Sequence, residues 1–184
     1  MFKNHTIYNE KEADDLFKKC ITLPIEFREY MRFGKMVNVP RGQIAVSSKS
    51  EYKYTQAGGT PTILKFEDYP FLQDVLDDVN KKFDIPFNTM LINHYRDGND
   101  YISNHSDSVV GWNKKYGFST LALGDGERTF RIKKIDTKEN IDIYHKKGDC
   151  IYIDYDQNQL YTHGIPKRKT IKKPRISITL RVIE

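Results

Sequence analysis

Two stretches of the chain carry apolar residues at helical spacing. Ala13, Leu16, Phe17, Cys20 and Ile21 recur at intervals of three and four. Asn9 precedes them and Glu12 follows it by three, a pattern in which the two side chains cap the first turn reciprocally. The second stripe is Leu72, Val75, Leu76 and Val79, within a helix predicted over Pro70 to Phe83, with Asp77, Asp78, Lys81 and Lys82 facing away. Two such helices pack on one face of a sheet. Residues 34–60, between them, contain Gly and Ser and read as loops and short hairpins.

From residue 87 the pattern shortens to strands. The segments are Met90–Tyr95, Tyr101–Asp107, Phe118–Gly124, Thr129–Ile135, Ile141–His145, Cys150–Tyr155, Tyr161–Ile165 and Arg175–Ile183. Breaks at DGER, DTKEN, KKGD and DQNQ place Gly, Asp or Asn where the chain reverses. About eight short strands predict a mostly β (α+β) fold, a sandwich, jelly roll or barrel.

Composition narrows the class. A length of 184 residues fits one domain. Thirty Lys and Arg against 25 Asp and Glu leave +5, which permits a polyanionic partner without requiring one. No apolar run approaches the ~18 residues of a membrane helix. The first residues, MFKNHTIYNEKEADD, lack the apolar stretch of a signal peptide. Cys20 and Cys150 are too few for a disulfide framework. The expectation is a soluble, intracellular, reduced protein of nucleus or cytoplasm, monomeric and without a membrane partner.

Candidate chemistry starts from five histidines. In His105-Ser106-Asp107 the first and third side chains share one face of a strand and can bind one cation. His163 offers a third ligand, and two His with one carboxylate form the facial triad of non-haem Fe(II) oxygenases. A surface turn with a satisfied His suits the same tripeptide. His5 and His145 read as solvated, and His94 faces away from Asn93 and Tyr95 by alternation. In the last strand Ile176, Ile178, Leu180 and Val182 alternate with Arg175, Ser177, Thr179 and Arg181. That polar row is either a solvated face or the wall of a cavity. Two guanidiniums in such a wall suit a dicarboxylate.

Four ordered blocks carry a family resemblance: LINHYRDGNDYISNHSD, FSTLALGDGERTFRI, YTHGIPKR and PRISITLRVI. Over about residues 30–184 the chain resembles the AlkB family of Fe(II)/2-oxoglutarate-dependent dioxygenases. RFGKMVNVPRGQ and YKYTQAGG resemble the nucleotide-binding segments of its DNA-repair branch. The resemblance implies a double-stranded β-helix (jelly roll) over 87–184, with N-terminal helices and a lid over 1–86. It implies that His105, Asp107 and His163 ligate iron. It implies that Asn93, Tyr95, Arg175, Ser177, Thr179 and Arg181 bind 2-oxoglutarate. The implied activity is O2-dependent demethylation of bases such as 1-methyladenine and 3-methylcytosine, in DNA before RNA, with release of formaldehyde.

Substrate contacts follow from the same resemblance. Phe33 matches a hydrophobic finger that fills the gap left by a flipped base; a core Phe is the plainer alternative. Arg41, Tyr54 and Arg128 match further positions. Ser108 and Val109 stand where the repair branch carries acids, so Ser108 alone can still contact the base. Lys167, Arg168, Lys169, Lys172 and Lys173 form a basic run that suits a phosphate backbone or a solvated loop. The rivals are the same chemistry on RNA or a protein side chain, a non-catalytic nucleic-acid-binding jelly roll, and a cupin-like protein using another metal.

Overall fold

The computed structural model of the chain describes residues 2–49 and 59–184; Tyr54 lies outside them. In chain order the elements are β1 (Lys3–Thr6), α1 (Glu10–Cys20), β2 (Glu29–Arg32), β3 (Lys35–Asn38), β4 (Gly42–Ser47), β5 (Ile63–Leu64), α2 (Pro70–Phe83), β6 (Thr89–Tyr95), β7 (Ile102–His105), β8 (Phe118–Leu123), β9 (Arg128–Lys134), β10 (Asn140–His145), β11 (Asp149–Ile153), α3 (Tyr155–Leu160), β12 (Tyr161–Ile165) and β13 (Arg175–Arg181).

The two long helices form where apolar spacing puts them. The Glu12 amide donates to Asn9 Oδ1 at 3.0 Å, and the Asn9 amide donates back to Glu12 Oε2 at 2.9 Å. α2 opens on Pro70, which has no N–H to leave unpaired in a first turn. The buried residues of α1 are Ala13, Leu16 and Cys20, and those of α2 are Leu72, Val75, Leu76 and Val79.

Two sheets make the body. Seven strands run in the order β1-β11-β8-β13-β6-β4-β5, antiparallel except for the β4–β5 pair. Four run in the order β10-β9-β12-β7, and β2 and β3 form a separate hairpin. β13 shows how alternation builds the layers. Ile176, Ile178 and Leu180 join the helices in one apolar core. The opposite face of the large sheet meets the small one, with Tyr95, Phe118, Ile151 and Ile153 against Phe130, Ile132 and Ile165. Arg175, Ser177, Thr179 and Arg181 belong to that inner face by their register. All seven residues of β13 are buried, so a solvated polar face is excluded.

Two segments depart from the sequence expectation. Within 34–60, β3 fits as the second strand of a hairpin, but Gly42–Ser47 is a fully buried strand paired with β6 along its length. Covered on both faces, β4 has no alternation to read, and its Gly and Ser suggest a loop. DQNQ is not a plain turn but most of α3, whose Asn158 is 1% exposed. The residues before 87 also supply β1, β4 and β5 to the large sheet.

Candidate metal and cosubstrate site

β12 pairs with β7 so that His163 lies directly opposite His105. Opposed residues on antiparallel strands share a face, and the ring centroids stand 4.5 Å apart. Asp107 follows just past β7. Its Oδ1 is 3.3 Å from His105 Nε2 and 3.8 Å from His163 Nε2, and the three ligand atoms fall within 4.8 Å of one another. Each side chain is held from behind. His105 Nδ1 lies 2.9 Å from the Ser103 carbonyl oxygen, which aims Nε2 at the site. The His163 ring stacks on Phe130 at 5.6 Å and packs on Phe118 at 4.8 Å. Asn158 clasps the Asp107 backbone: its Oδ1 accepts from the Asp107 amide at 3.0 Å and its Nδ2 donates to the Asp107 carbonyl at 3.1 Å. The residue after His163 is Gly164, where a Cβ would come within 2.7 Å of the Ile102 carbonyl oxygen.

Electrostatics set these groups in metal-binding forms. Burial alone would raise the Asp107 carboxyl. The Arg181 guanidinium, donating from Nη2 to Oδ2 at 2.5 Å, and the two imidazoles outweigh burial and hold it well below the usual range. Burial pulls His163 down to about 3. An ionised carboxylate and a neutral imidazole are the states that donate to a metal. Two imidazole nitrogens and one carboxylate oxygen fit Fe(II) and leave coordination positions for other ligands.

The triad opens into a pocket. Asn93, Tyr95, Ser177, Thr179 and Arg181 line it, as does Thr120. Asn93 Oδ1 accepts from Arg41 Nε and Gln43 Nε2, both at 3.0 Å. With its oxygen committed, the Asn93 amide offers N–H donors to the cavity. Arg175 is paired in register with Tyr95 and is 1% exposed. Its guanidinium donates to His145 and Ser177, none of them an acid. Burial pulls its pKa down to about 10. A buried cation without a carboxylate is costly, and a bound anion relieves the cost.

The sequence profile of the 2OG-Fe(II) oxygenase superfamily matches residues 2–181. The chain belongs to this family. It is therefore an oxygenase whose cofactors are Fe(II), 2-oxoglutarate and O2, and the donor set above fits the metal. Similar curated proteins are named DNA oxidative demethylase ALKBH2. The one from Bos taurus is 26% identical over 190 residues, and the one from Homo sapiens is 25% identical over 190 residues. Those alignments cover 96% of this chain but 66% of the bovine and 71% of the human protein. The solved structure of OsALKBH1 superposes with a TM-score of 0.57 at 15% identity, covering 98% of this chain and 97% of that one. A 2OG-Fe(II) oxygenase family oxidoreductase from Burkholderia pseudomallei gives 0.61 at 14%, covering 99% and 86%. The facing sheets are thus the jelly roll of this oxygenase family.

Several residues of the oxygenase sit otherwise than expected. His145 is not solvated but 0% exposed: its Nδ1 accepts from Arg175 Nη2 at 2.9 Å. His5 is half-buried, edge-on to Phe83 at 5.5 Å. His94 does face away from Asn93, toward the Phe27 ring at 5.7 Å. Arg175 is not among the residues that line the cavity; it is buried, with its guanidinium held by His145 and by Ser177, which does line it. Arg128 does not offer itself to a substrate. It is 1% exposed and donates to the carbonyls of Asp97, Asp100 and Pro166, so it fastens two loops together. Arg41, matched to a substrate-contacting position, is 8% exposed and reaches Asn93.

Phe33 is no core residue: it is 93% exposed at the tip of the β2–β3 hairpin. Ser108 is exposed and Val109 half-buried, beside Asp107. Sequence reasoning missed Gln43, Asn158, Thr120 and the role of His145. Gln43, alone in an apolar run, and His145, at a strand end, left a faint signal; Asn158 left none.

Proposed function

We propose that this oxygenase oxidatively demethylates alkylated nucleobases in DNA and releases formaldehyde. In this reading His105, Asp107 and His163 hold the iron. Asn93, Tyr95, Arg175, Ser177, Thr179 and Arg181 hold 2-oxoglutarate, with Arg175 on the carboxylate far from the metal. When bound, iron and 2-oxoglutarate supply the oxidising power to hydroxylate an N-methyl carbon with O2; the hemiaminal then loses formaldehyde. Arg181 keeps Asp107 ionised. Phe118 and Phe130 fix His163 and keep water from its ring.

The observation that carries the DNA reading is Phe33. Both turn residues of its hairpin are left-handed, Phe33 at φ +48 and Gly34 at φ +74. An exposed aromatic in that conformation costs stability and persists for a function. A base inside a duplex must flip to reach a buried metal, and an apolar wedge can fill the gap. Lys35 beside it, and Lys167, Arg168, Lys169, Lys172 and Lys173, are exposed for phosphate contact. The relatives named DNA oxidative demethylase support the same substrate. In this reading the enzyme acts as an intracellular monomer.

Ser108 and Val109 favour a second reading, the same chemistry on RNA or a protein side chain. They give a cationic methylated base no carboxylate beside Asp107.

Formaldehyde release separates the readings. The protein is supplied with Fe(II), ascorbate, 2-oxoglutarate and oligonucleotides carrying one methylated base. Release from DNA should exceed release from RNA. Phe33→Ala should cut activity on duplex more than on single strands, and equal loss on both removes the wedge. Consumption of 2-oxoglutarate with no release from any nucleic acid would sink the substrate reading alone.

A further inference from the structure

We propose that His145 is a positioning residue for Arg175 and through it sets the affinity for the distal carboxylate of 2-oxoglutarate. The proposal rests on the cosubstrate role of Arg175 given above.

His145 ends β10 in the small sheet, and Arg175 begins β13 in the large one. Their contact therefore ties the two sheets at one end of the site. His145 Nε2 lies 2.9 Å from the Asp149 carbonyl oxygen. A ring nitrogen facing a carbonyl must carry the proton, so Nδ1 is bare and accepts. It accepts from Arg175 Nη2 at 2.9 Å, and the His145 carbonyl accepts from Arg175 Nη1 at 3.1 Å. One residue thus grips both terminal nitrogens of the guanidinium. The ring itself is fixed edge-on to Phe130 at 5.9 Å. Burial, helped by the charge of Arg175, keeps it neutral, the only state that can accept.

The grip leaves donors over. A guanidinium has five N–H groups. His145 takes two and Ser177 Oγ a third at 3.4 Å, while Nε has no partner among the described residues. Nε–H and one Nη1–H remain for an anion. They lie on opposite edges of the guanidinium, so a carboxylate takes one of them, in a direction set by the plane that His145 imposes.

The test is calorimetric titration of the Fe(II)-loaded full chain without oxygen. One probe is 2-oxoglutarate. The other is oxalate, which chelates a metal but has no distal carboxylate. His145→Phe keeps the ring and removes the acceptor; it should weaken 2-oxoglutarate about tenfold or more while oxalate changes little. His145→Asn places an acceptor near the Nδ1 position and should restore most of the affinity. His145→Gln places it near Nε2 and should not. Unchanged 2-oxoglutarate affinity in His145→Phe, or equal weakening of both probes, overturns the proposal. If the Phe variant does not fold, equal affinities for Asn and Gln overturn it. Arg175→Met binding 2-oxoglutarate as tightly as wild type would instead refute the cosubstrate role of Arg175.

Discussion

Asp107 is held at both ends. Arg181 grips its carboxylate, and Asn158 clasps its backbone from α3 with two hydrogen bonds. Asn158→Ala should therefore weaken Fe(II) binding by about 10–100-fold, as loss of a group that orients a ligand commonly does. Metal titration of the two proteins checks this, and equal affinities would show that Asp107 needs no clasp. His105 and Asp107 were legible as a candidate pair because the His-x-Asp spacing is local in sequence. Asn158, Gln43 and His145 were not, because their partners Asp107, Asn93 and Arg175 lie 51, 50 and 30 residues away. Arg128 misled for a related reason. Sequence shows a cation, but only the fold shows that three carbonyls already occupy it.

Among elements, the amphipathic ones were readable and the doubly covered one was not. α1 and α2 declare their buried stripes, since one face of each meets water. β4 is buried along its whole length and left no period to detect. α3 is six residues long, too short for propensity to mark, and its place is fixed by the Asn158 bonds. The helices matter to the site only through the sheet they cover. Leu72, 0% exposed, sits in the core that backs β6, β8 and β13. Leu72→Ala should cost about 2–5 kcal/mol of stability by urea denaturation. It should leave the cosubstrate affinity of the folded protein close to wild type, and a loss below about 1 kcal/mol would contradict the packing described.

At the scale of the molecule, the +5 surplus is unevenly placed. Arg41, Arg128, Arg175 and Arg181 are buried, so they serve the site and the loops rather than a polyanion. The hairpin and the 167–173 loop hold the exposed cations named above. Buried histidines give the whole fold an acid limit. His145 is held well below its usual pKa by burial, and His163 at about 3 for the same reason. Unfolded, each takes a proton near its ordinary pKa of about 6.5. The unfolded state then binds more protons, so stability falls as pH drops below about 6.5, by up to about 1.4 kcal/mol per pH unit for each group. The urea midpoint of metal-free protein should fall from about pH 7 to about pH 5, and His145→Asn should flatten the slope. A midpoint constant over that range would contradict neutral burial of these rings. The central claim, oxidative demethylation at the His105-Asp107-His163 centre, is tested most directly by product stoichiometry. A duplex carrying one 1-methyladenine is incubated with Fe(II), 2-oxoglutarate and O2, and intact adenine, formaldehyde and succinate are measured together. The account predicts all three products, with formaldehyde matching repaired base, and none of them with Asp107→Ala. Retained methyl groups beside accumulating succinate, or undiminished repair by Asp107→Ala, would contradict it.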